Sequence, residues 1–418
     1  MKTALVWFRK DLRIRFNEAL EFCAVNNLRV IPVYVSDNSN YPYSPVQLSS
    51  FRQHFLHESL EGLNNHIVKL GGSGLVYKEG LAEEHIPAIC RKYQIEIVLF
   101  ATEPGWYEQL QEAALKKTLI KAGIAYKLFY HNYIFRPESL PFNIGQTPRV
   151  FTEFRKLVEP CLTVEVPETD SQNVIFATHD ESTYALSSAE GEKNLNFKGG
   201  ETAAAKRLNY YLFESRRIET YKETRNGLLG TDYSSGLSPW LANGCLSVKE
   251  TLLNIKQYEK EVLANESTYW LVFELLWREY FRWIMAEHGR LLFLPEGLKG
   301  NRNRSKIKDR DLERWITAQT GEPFIDAAMT ELNRTGFLSN RARQNVASFL
   351  VHDLNQNWIE GARYFEHLLV DFDVSSNYGN WAYIAGVGND PRPNRRFNPV
   401  KQAGMYDPEQ KYVRFWLK

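Results

Sequence analysis

Short aliphatic runs open the chain, and each is followed by a stretch whose apolar positions recur every three or four residues. ALVWF (4–8), LRVIPVYVS (28–36), LVYKEG (75–80), IEIVLFAT (95–102) and IAYKLFYHNYIF (124–135) read as strands. Runs with little polar alternation suit strands covered on both faces. Between them, FRQHFLHESLEGLNNHIVKLGG sets Phe51, Phe55, Leu60, Leu63 and Ile67 on one helical face and stops at Gly71-Gly72. IPAICRKYQ is a further helix. This alternation predicts a doubly wound parallel sheet over residues 1–135, a fold that holds ligands at the carboxyl ends of its strands. No GxGxxG is present, so the dinucleotide fingerprint is not part of the prediction.

Residues 136–200 lose the pattern. Pro137, Pro141, Pro148, Pro160 and Pro167 precede the polar run THDESTYALSSAEGEKN, which reads as a long inter-domain connector. From 201 to 418 the period is helical throughout. Six segments carry it: ETAAAKRLNYYLFESRRIETY, SVKETLLNIKQYEKEVL, STYWLVFELLWREYFRWIMAEHG, PFIDAAMTELNRTG, NRARQNVASFLVHDLN and WIEGARYFEHLLVDFD. The predicted architecture is therefore α/β plus all-α. The stretch Phe372 to Pro399 departs from it. It is rich in Asn, Gly and Pro like a surface loop, yet holds Tyr378, Trp381 and Tyr383.

Bulk numbers narrow the function only slightly. Of 418 residues 44% are hydrophobic and the net charge is +1, so any nucleic-acid surface must be a local patch. Cys23, Cys90, Cys161 and Cys245 lie far apart, with no CxxC or Cys/His cluster, which predicts neither disulfides nor a metal site. There is no h-region at the N-terminus and no membrane-length apolar run. A reducing compartment is expected, the cytoplasm if the source is bacterial.

Four segments place polar residues where a helical core should be apolar. In YKETRNGLLGTDYSSGLSPWLANGCLS a Gly- and Ser-rich turn runs into a helix, which suits an anion, although an ordinary helix start with Pro in its first turn also explains Ser238-Pro239. In FELLWREYFRW, Glu274, Trp277, Arg278 and Phe281 share one helical face, suited to a flat polar molecule or simply to an ion pair beside a core Trp. In TGFLSNRARQNVASFL, Asn340, Arg341, Arg343 and Gln344 cluster at a helix start. A buried pairing of Arg343 with Asp371 or Asp373 is costly unless further hydrogen bonds, or a ligand it frames, support it. After Asn377, Asn380 and Trp381, the residues Arg392, Arg395 and Arg396 suit either a nucleic-acid rim or a solvated loop.

In order, these four blocks and LVWFRKDLR at 5–13 resemble the cryptochrome/photolyase family, most closely its DASH branch, over nearly the whole chain. The resemblance implies an N-terminal α/β domain, a helical domain binding FAD in a folded form, and light-driven repair of cyclobutane pyrimidine dimers, preferentially in single-stranded DNA, by a monomer. An excited reduced flavin lends the dimer an electron and recovers it. A blue-light photoreceptor without repair is the alternative, since one FAD cage serves both. By motif, Tyr221, Ser234, Ser235, Gly236, Leu237 and Ser238 match the phosphate and ribose segment. Arg343 and Asp371 match a salt bridge against the flavin, with Asp373 its neighbour, Asn340 beside it and Asn377 facing N5. Glu274, Trp277, Asn340, Arg341, Gln344 and Tyr383 match the lesion pocket. Arg225, Trp277, Arg278, Arg341, Arg392, Arg395 and Gln402 are the nucleic-acid contacts expected.

Some positions depart from the family pattern. Its electron-transfer chain has three Trp; Trp381 and Trp358 match two, the third falls near Ser305, and Trp315 is the nearest substitute for that surface end. Phe16-Asn17 stands where the family has Asp-Asn. A methenyltetrahydrofolate antenna is the usual second chromophore, with Glu108 as its expected partner.

Overall fold

A computed structural model describes residues 1–36, 47–164, 166, 171–184, 196–300, 309–390 and 395–418. Strands β1 (Thr3–Phe8), β2 (Arg29–Ser36), β3 (Val76–Glu79), β4 (Ile97–Ala101) and β5 (Ala125–Phe129) form a parallel sheet in the order β3-β2-β1-β4-β5. The chain reverses its direction of winding between β1 and β4, where Ala4 pairs with Ile97 and Trp7 with Phe100. Alternation along β1 serves two cores, one of them shared with helices α1 (Glu18–Val25) and α2 (Ser50–Lys69). Leu5 and Trp7 pack with Val33, Ile86 and Leu115 beneath helices α3 (Ala82–Lys92) and α4 (Trp106–Lys121). Ala4, Val6 and Phe8 face the other way, into a core that continues without a break into the helical half.

The chain from 124 to 135 is shorter as a strand than its apolar pattern predicts. Pairing stops at Phe129, and Ile134 and Phe135 give their amides to Glu279 instead. Residues 136–200 also do more than connect. A sixth strand, β6 (Ile175–Phe176), joins the sheet alongside β2, and helix α5 (Phe151–Val158) lies against the helical half. Among the described residues no strand follows Phe176.

Five helices of the second half position the candidate site residues: α6 (Ser238–Asn243), α7 (Glu266–His288), α8 (Asn340–Ser348), α9 (Trp358–Leu368) and α10 (Val374–Ile384). The last corrects the loop-like reading of the stretch after Phe372 over Val374–Ile384. Asp373 caps it by accepting the Ser376 amide at 2.8 Å, which offsets the poor intrinsic preference of Asn and Gly for helices. Gly379 is needed there, because a Cβ would stand 2.3 Å from the Phe281 ring of α7. Gly244 welds the two halves: it adopts φ +69°, and a Cβ would fall 1.8 Å from the Lys10 carbonyl oxygen. Arg13, fully buried beside it, donates to the carbonyls of Gly244, His131 and Phe16. Phe16 itself sits at φ +52°, a left-handed position that favours Gly, Asn or Asp.

Candidate cofactor and substrate cavity

The described residues enclose a cavity of about 520 Å³ in the helical half, with a smaller recess of about 80 Å³ behind it. Helices α7, α8 and α10 supply three sides, and the turn leading into α6 supplies a fourth. Every predicted lesion-pocket residue lines it: Glu274, Trp277, Asn340, Arg341, Gln344 and Tyr383. So do Tyr221, the run Ser234–Ser238, Arg343, Asp371 and Asp373. Asn377 and Trp381 line the recess.

At the floor, the Arg343 guanidinium meets both Asp371 oxygens at 2.9 and 3.0 Å. Two further bonds hold this pair. Ser238 donates its hydroxyl to Asp371 at 2.7 Å, and Arg343 Nε donates to the Leu338 carbonyl at 2.8 Å. These are the extra hydrogen bonds that a buried ion pair requires. The Gly/Ser turn is anchored from outside, with the Arg207 guanidinium binding the carbonyls of Thr231, Ser234 and Ser235. Gly236 takes φ +62° in that turn.

Asp373 lies deeper. Arg282 donates to it at 3.1 Å and reaches Glu103, just beyond β4, at 2.8 Å. Burial alone would raise the Asp373 carboxyl, but Arg282 and Arg278 outweigh it and hold it below the usual range. Arg278 donates to the carbonyls of Asn132 and Leu241, so its guanidinium ties the two halves together. Its side chain also lines the cavity. Asn377 donates its amide N–H to the Ala362 carbonyl at 3.0 Å.

The mouth is built differently. Glu274 pairs with Arg225 and lies beside Trp270; burial lifts its carboxyl above the ordinary range although Arg225 pulls the other way. Trp277 stacks on Phe151 of α5, with centroids 3.7 Å apart and planes 14° from parallel. Tyr383 meets Trp277 at 5.9 Å and 86°, so the two rings form a corner. Arg395 donates to the Tyr383 hydroxyl at 2.6 Å and pairs with Asp390. Arg341 reaches Gln344 and Asn226, each at 2.9 Å, and lies over the Tyr406 ring, while its Nε is buried without a partner. Gln402 accepts a 3.4 Å bond from Asn345, one residue beyond Gln344. Arg392 and Ser305 lie outside the described residues.

Sequence reasoning missed Phe151, Asn226 and Arg282. Phe151 belongs to the supposed connector, and nothing local marks a ring that packs across so many residues. Arg282, four residues after Arg278 on one helix, was the readable one. One tryptophan also needs correction. Trp315 was expected at a surface end, yet it is fully buried, 6.3 Å from Trp381, with its indole N–H on the Val346 carbonyl. Trp358 is equally buried and bonds the Pro295 carbonyl. The Trp381 ring lies over Gly361, one turn along α9 from Trp358.

Known proteins match this arrangement. A family model described as the FAD binding domain of DNA photolyase covers residues 270–418, and one described as DNA photolyase covers 4–171. Cryptochrome DASH of Gloeobacter violaceus is 41% identical over the whole chain and 85% of its own length. The chain belongs to the cryptochrome/photolyase family, in its DASH branch. A crystal structure of a Synechocystis cryptochrome superposes with a TM-score of 0.94 at 39% identity, over 100% of this chain and 89% of that one. An archaeal photolyase from Sulfolobus tokodaii, described with two FAD molecules, gives 0.81 at 28% identity, over 100% and 90%.

FAD is the cofactor of this fold, and the cavity suits it. Its volume lies in the range of cofactor pockets. One wall offers Ser hydroxyls and a Gly turn for ribose and phosphates, and the recess offers a fixed amide. The floor carries an ion pair whose members neutralise each other.

Proposed function

We propose that the protein uses blue light and FAD to reverse cyclobutane pyrimidine dimers, with single-stranded DNA as its preferred substrate. The observation that carries this reading is convergence. The six residues Glu274, Trp277, Asn340, Arg341, Gln344 and Tyr383 open onto the same cavity as Arg343 and Asp371, so a base and a flavin would share one space.

FAD, once bound and reduced, supplies a light-excited one-electron donor. The chain supplies the rest. Trp277 and Tyr383 give an extruded base pair two perpendicular faces, and Phe151 and Arg395 fix those rings from behind. Glu274, with its raised carboxyl, can hold a proton at the pyrimidine edge where negative charge grows. Asn377 has given one amide N–H to Ala362, so its second N–H and its carbonyl oxygen remain available toward the isoalloxazine. Asp373 orients the helix that carries Asn377 and Trp381. Arg225, Arg341 and Arg395 are engaged with protein partners, and the aromatic corner supplies stacking. That balance favours a base that need not first be unpaired.

A methenyltetrahydrofolate antenna belongs to the same reading. Glu108 is supported as its partner because Glu108 Oε2 and Trp106 Nε1 are buried without hydrogen bonds at the carboxyl edge of β4. An additional near-ultraviolet band beside the flavin bands of the purified protein would reveal it.

The test is blue-light treatment of a thymine dimer in single-stranded and duplex oligonucleotides with the FAD fully reduced. Dimers should disappear, faster in the single strand. Persistence of the dimer in both would overturn repair and leave the photoreceptor reading.

A further inference from the structure

Trp315 and Trp358, the two tryptophans expected beyond Trp381 on the electron route, are poor places for an electron vacancy to rest. Trp315 and Trp358 are both fully buried, and each gives its indole N–H to a backbone carbonyl. A carbonyl does not take up a proton, so a vacancy on either ring keeps its positive charge in an apolar interior. Burying an unpaired charge is costly, and that cost favours return of the electron.

Tyr378 is placed otherwise. It stands three residues before Trp381 on α10, and its ring meets Trp358 at 6.4 Å and 75°. Its hydroxyl donates to Glu366 Oε2 at 2.7 Å, within the reach required of a general base. Both groups are held. Phe293 packs on the Tyr378 ring at 4.4 Å, and Glu366 projects from α9, the helix that also carries Trp358. Burial, followed by the Glu366 charge, lifts the Tyr378 phenol far above its usual range, so the ring stays protonated until it is oxidised. Burial also raises the Glu366 carboxyl, which makes it a better proton acceptor than an exposed one.

We propose that Tyr378 is the terminal electron donor when light reduces the bound flavin, and that Glu366 takes its proton. This rests on the reading of Trp381 and Trp358 as the electron route. With FAD bound, its light-excited oxidised ring would be the oxidant, and Trp381 would give it one electron. Trp358 refills Trp381, and Tyr378 refills Trp358. The Tyr378 O–H bond breaks as its proton moves to Glu366 Oε2. The net change is one electron from Tyr378 to the flavin and one proton from Tyr378 to Glu366. No charge is left unpaired on a buried ring, and return of the electron requires return of the proton.

The experiment is a laser flash on the protein loaded with oxidised FAD, followed by transient absorption and electron paramagnetic resonance. The native protein should show a tryptophan radical giving way to a tyrosyl radical, with a rate that slows in deuterium oxide. Tyr378→Phe should lose the tyrosyl signal and shorten the life of the charge-separated pair. Glu366→Gln keeps the Tyr378 ring, and it should lose or slow the same signal, with Glu366→Asp restoring part of it. Flavin content confirms folding of each variant. Trp381→Phe separates the two ideas. If it photoreduces like the native protein, the tryptophan route is wrong. If it is dead while Tyr378→Phe and Glu366→Gln both keep a native tyrosyl signal, the route stands and Tyr378 is not its end.

Discussion

Arg343 with Asp371 at the cavity floor and Arg225 with Glu274 at its mouth are the same chemistry in two settings. The Asp371 side chain is 3% exposed and has bonds from Arg343 and Ser238, while Arg343 also grips a backbone carbonyl. Glu274 is 27% exposed and has Arg225 as its ionic partner. The floor pair is fixed before any ligand arrives, which suits a cofactor that stays. The mouth pair is more exposed and leans on the Trp270 ring rather than on a backbone carbonyl, so a substrate can displace it. Preorganisation at the floor and exchange at the mouth are what a resident flavin and, on the function proposed, a visiting base demand of one cavity.

Asp371→Asn should produce the largest effect, because it breaks the pair that is held most firmly. Arg343 would keep its charge in a mostly buried place without a counterion, a loss of about 3 kcal/mol or more on the scale of broken buried pairs. Flavin retained through gel filtration, and thermal midpoint, are the measurements. Both should fall sharply. A variant that keeps its full flavin content would remove the floor pair from the cofactor site.

Arg225→Ala should cost less and be pH-dependent. The Glu274 carboxyl is already raised by burial in the folded protein, so folding favours its protonated form. The contribution to stability is therefore present at low pH and is lost as pH rises through the folded-state value. Without Arg225 that value climbs further. The deficit in unfolding free energy should thus be larger at pH 8 than at pH 5, reaching about 1–2 kcal/mol, below the full cost of a buried pair because both side chains are about a quarter exposed. Adding Glu274→Gln should abolish the pH dependence. A deficit equal at both pH values would mean that Arg225 acts by packing alone.

The contrast between the pairs explains what could be read in the sequence. Strands β1, β2 and β4 are continuous aliphatic runs, and their period and content settle their type. The face shared by Glu274, Trp277, Arg278 and Phe281 is dictated by helical spacing alone, and all four line the cavity. Partners were not legible, because they depend on tertiary approach. Arg278 reads as an external cation, yet its guanidinium is consumed by Asn132 and Leu241 from both halves. The Asn- and Gly-rich run after Phe372 reads as a loop by propensity. It is a helix because Asp373 caps it and Gly379 lets it approach Phe281, neither of which its composition reports. Trp315 lies near in sequence to the position expected for a surface tryptophan, and packing beside Trp381 buries it.

Ser238→Ala is the smallest and sharpest probe of the floor. The hydroxyl adds one hydrogen bond to a carboxylate that already has two from Arg343. Removing one bond of several leaves no charge unpaired, so the loss should be about 1 kcal/mol rather than the cost of a broken pair. Flavin affinity should weaken only several-fold, and the thermal midpoint should shift by a few degrees. The comparison with Asp371→Asn is what carries information. A small effect here and a large one there mean that the ion pair organises the floor and the hydroxyl only completes it. If Ser238→Ala releases the flavin as fully as Asp371→Asn, the order reverses: the turn into α6 positions Asp371, and the Arg343 pair depends on that placement.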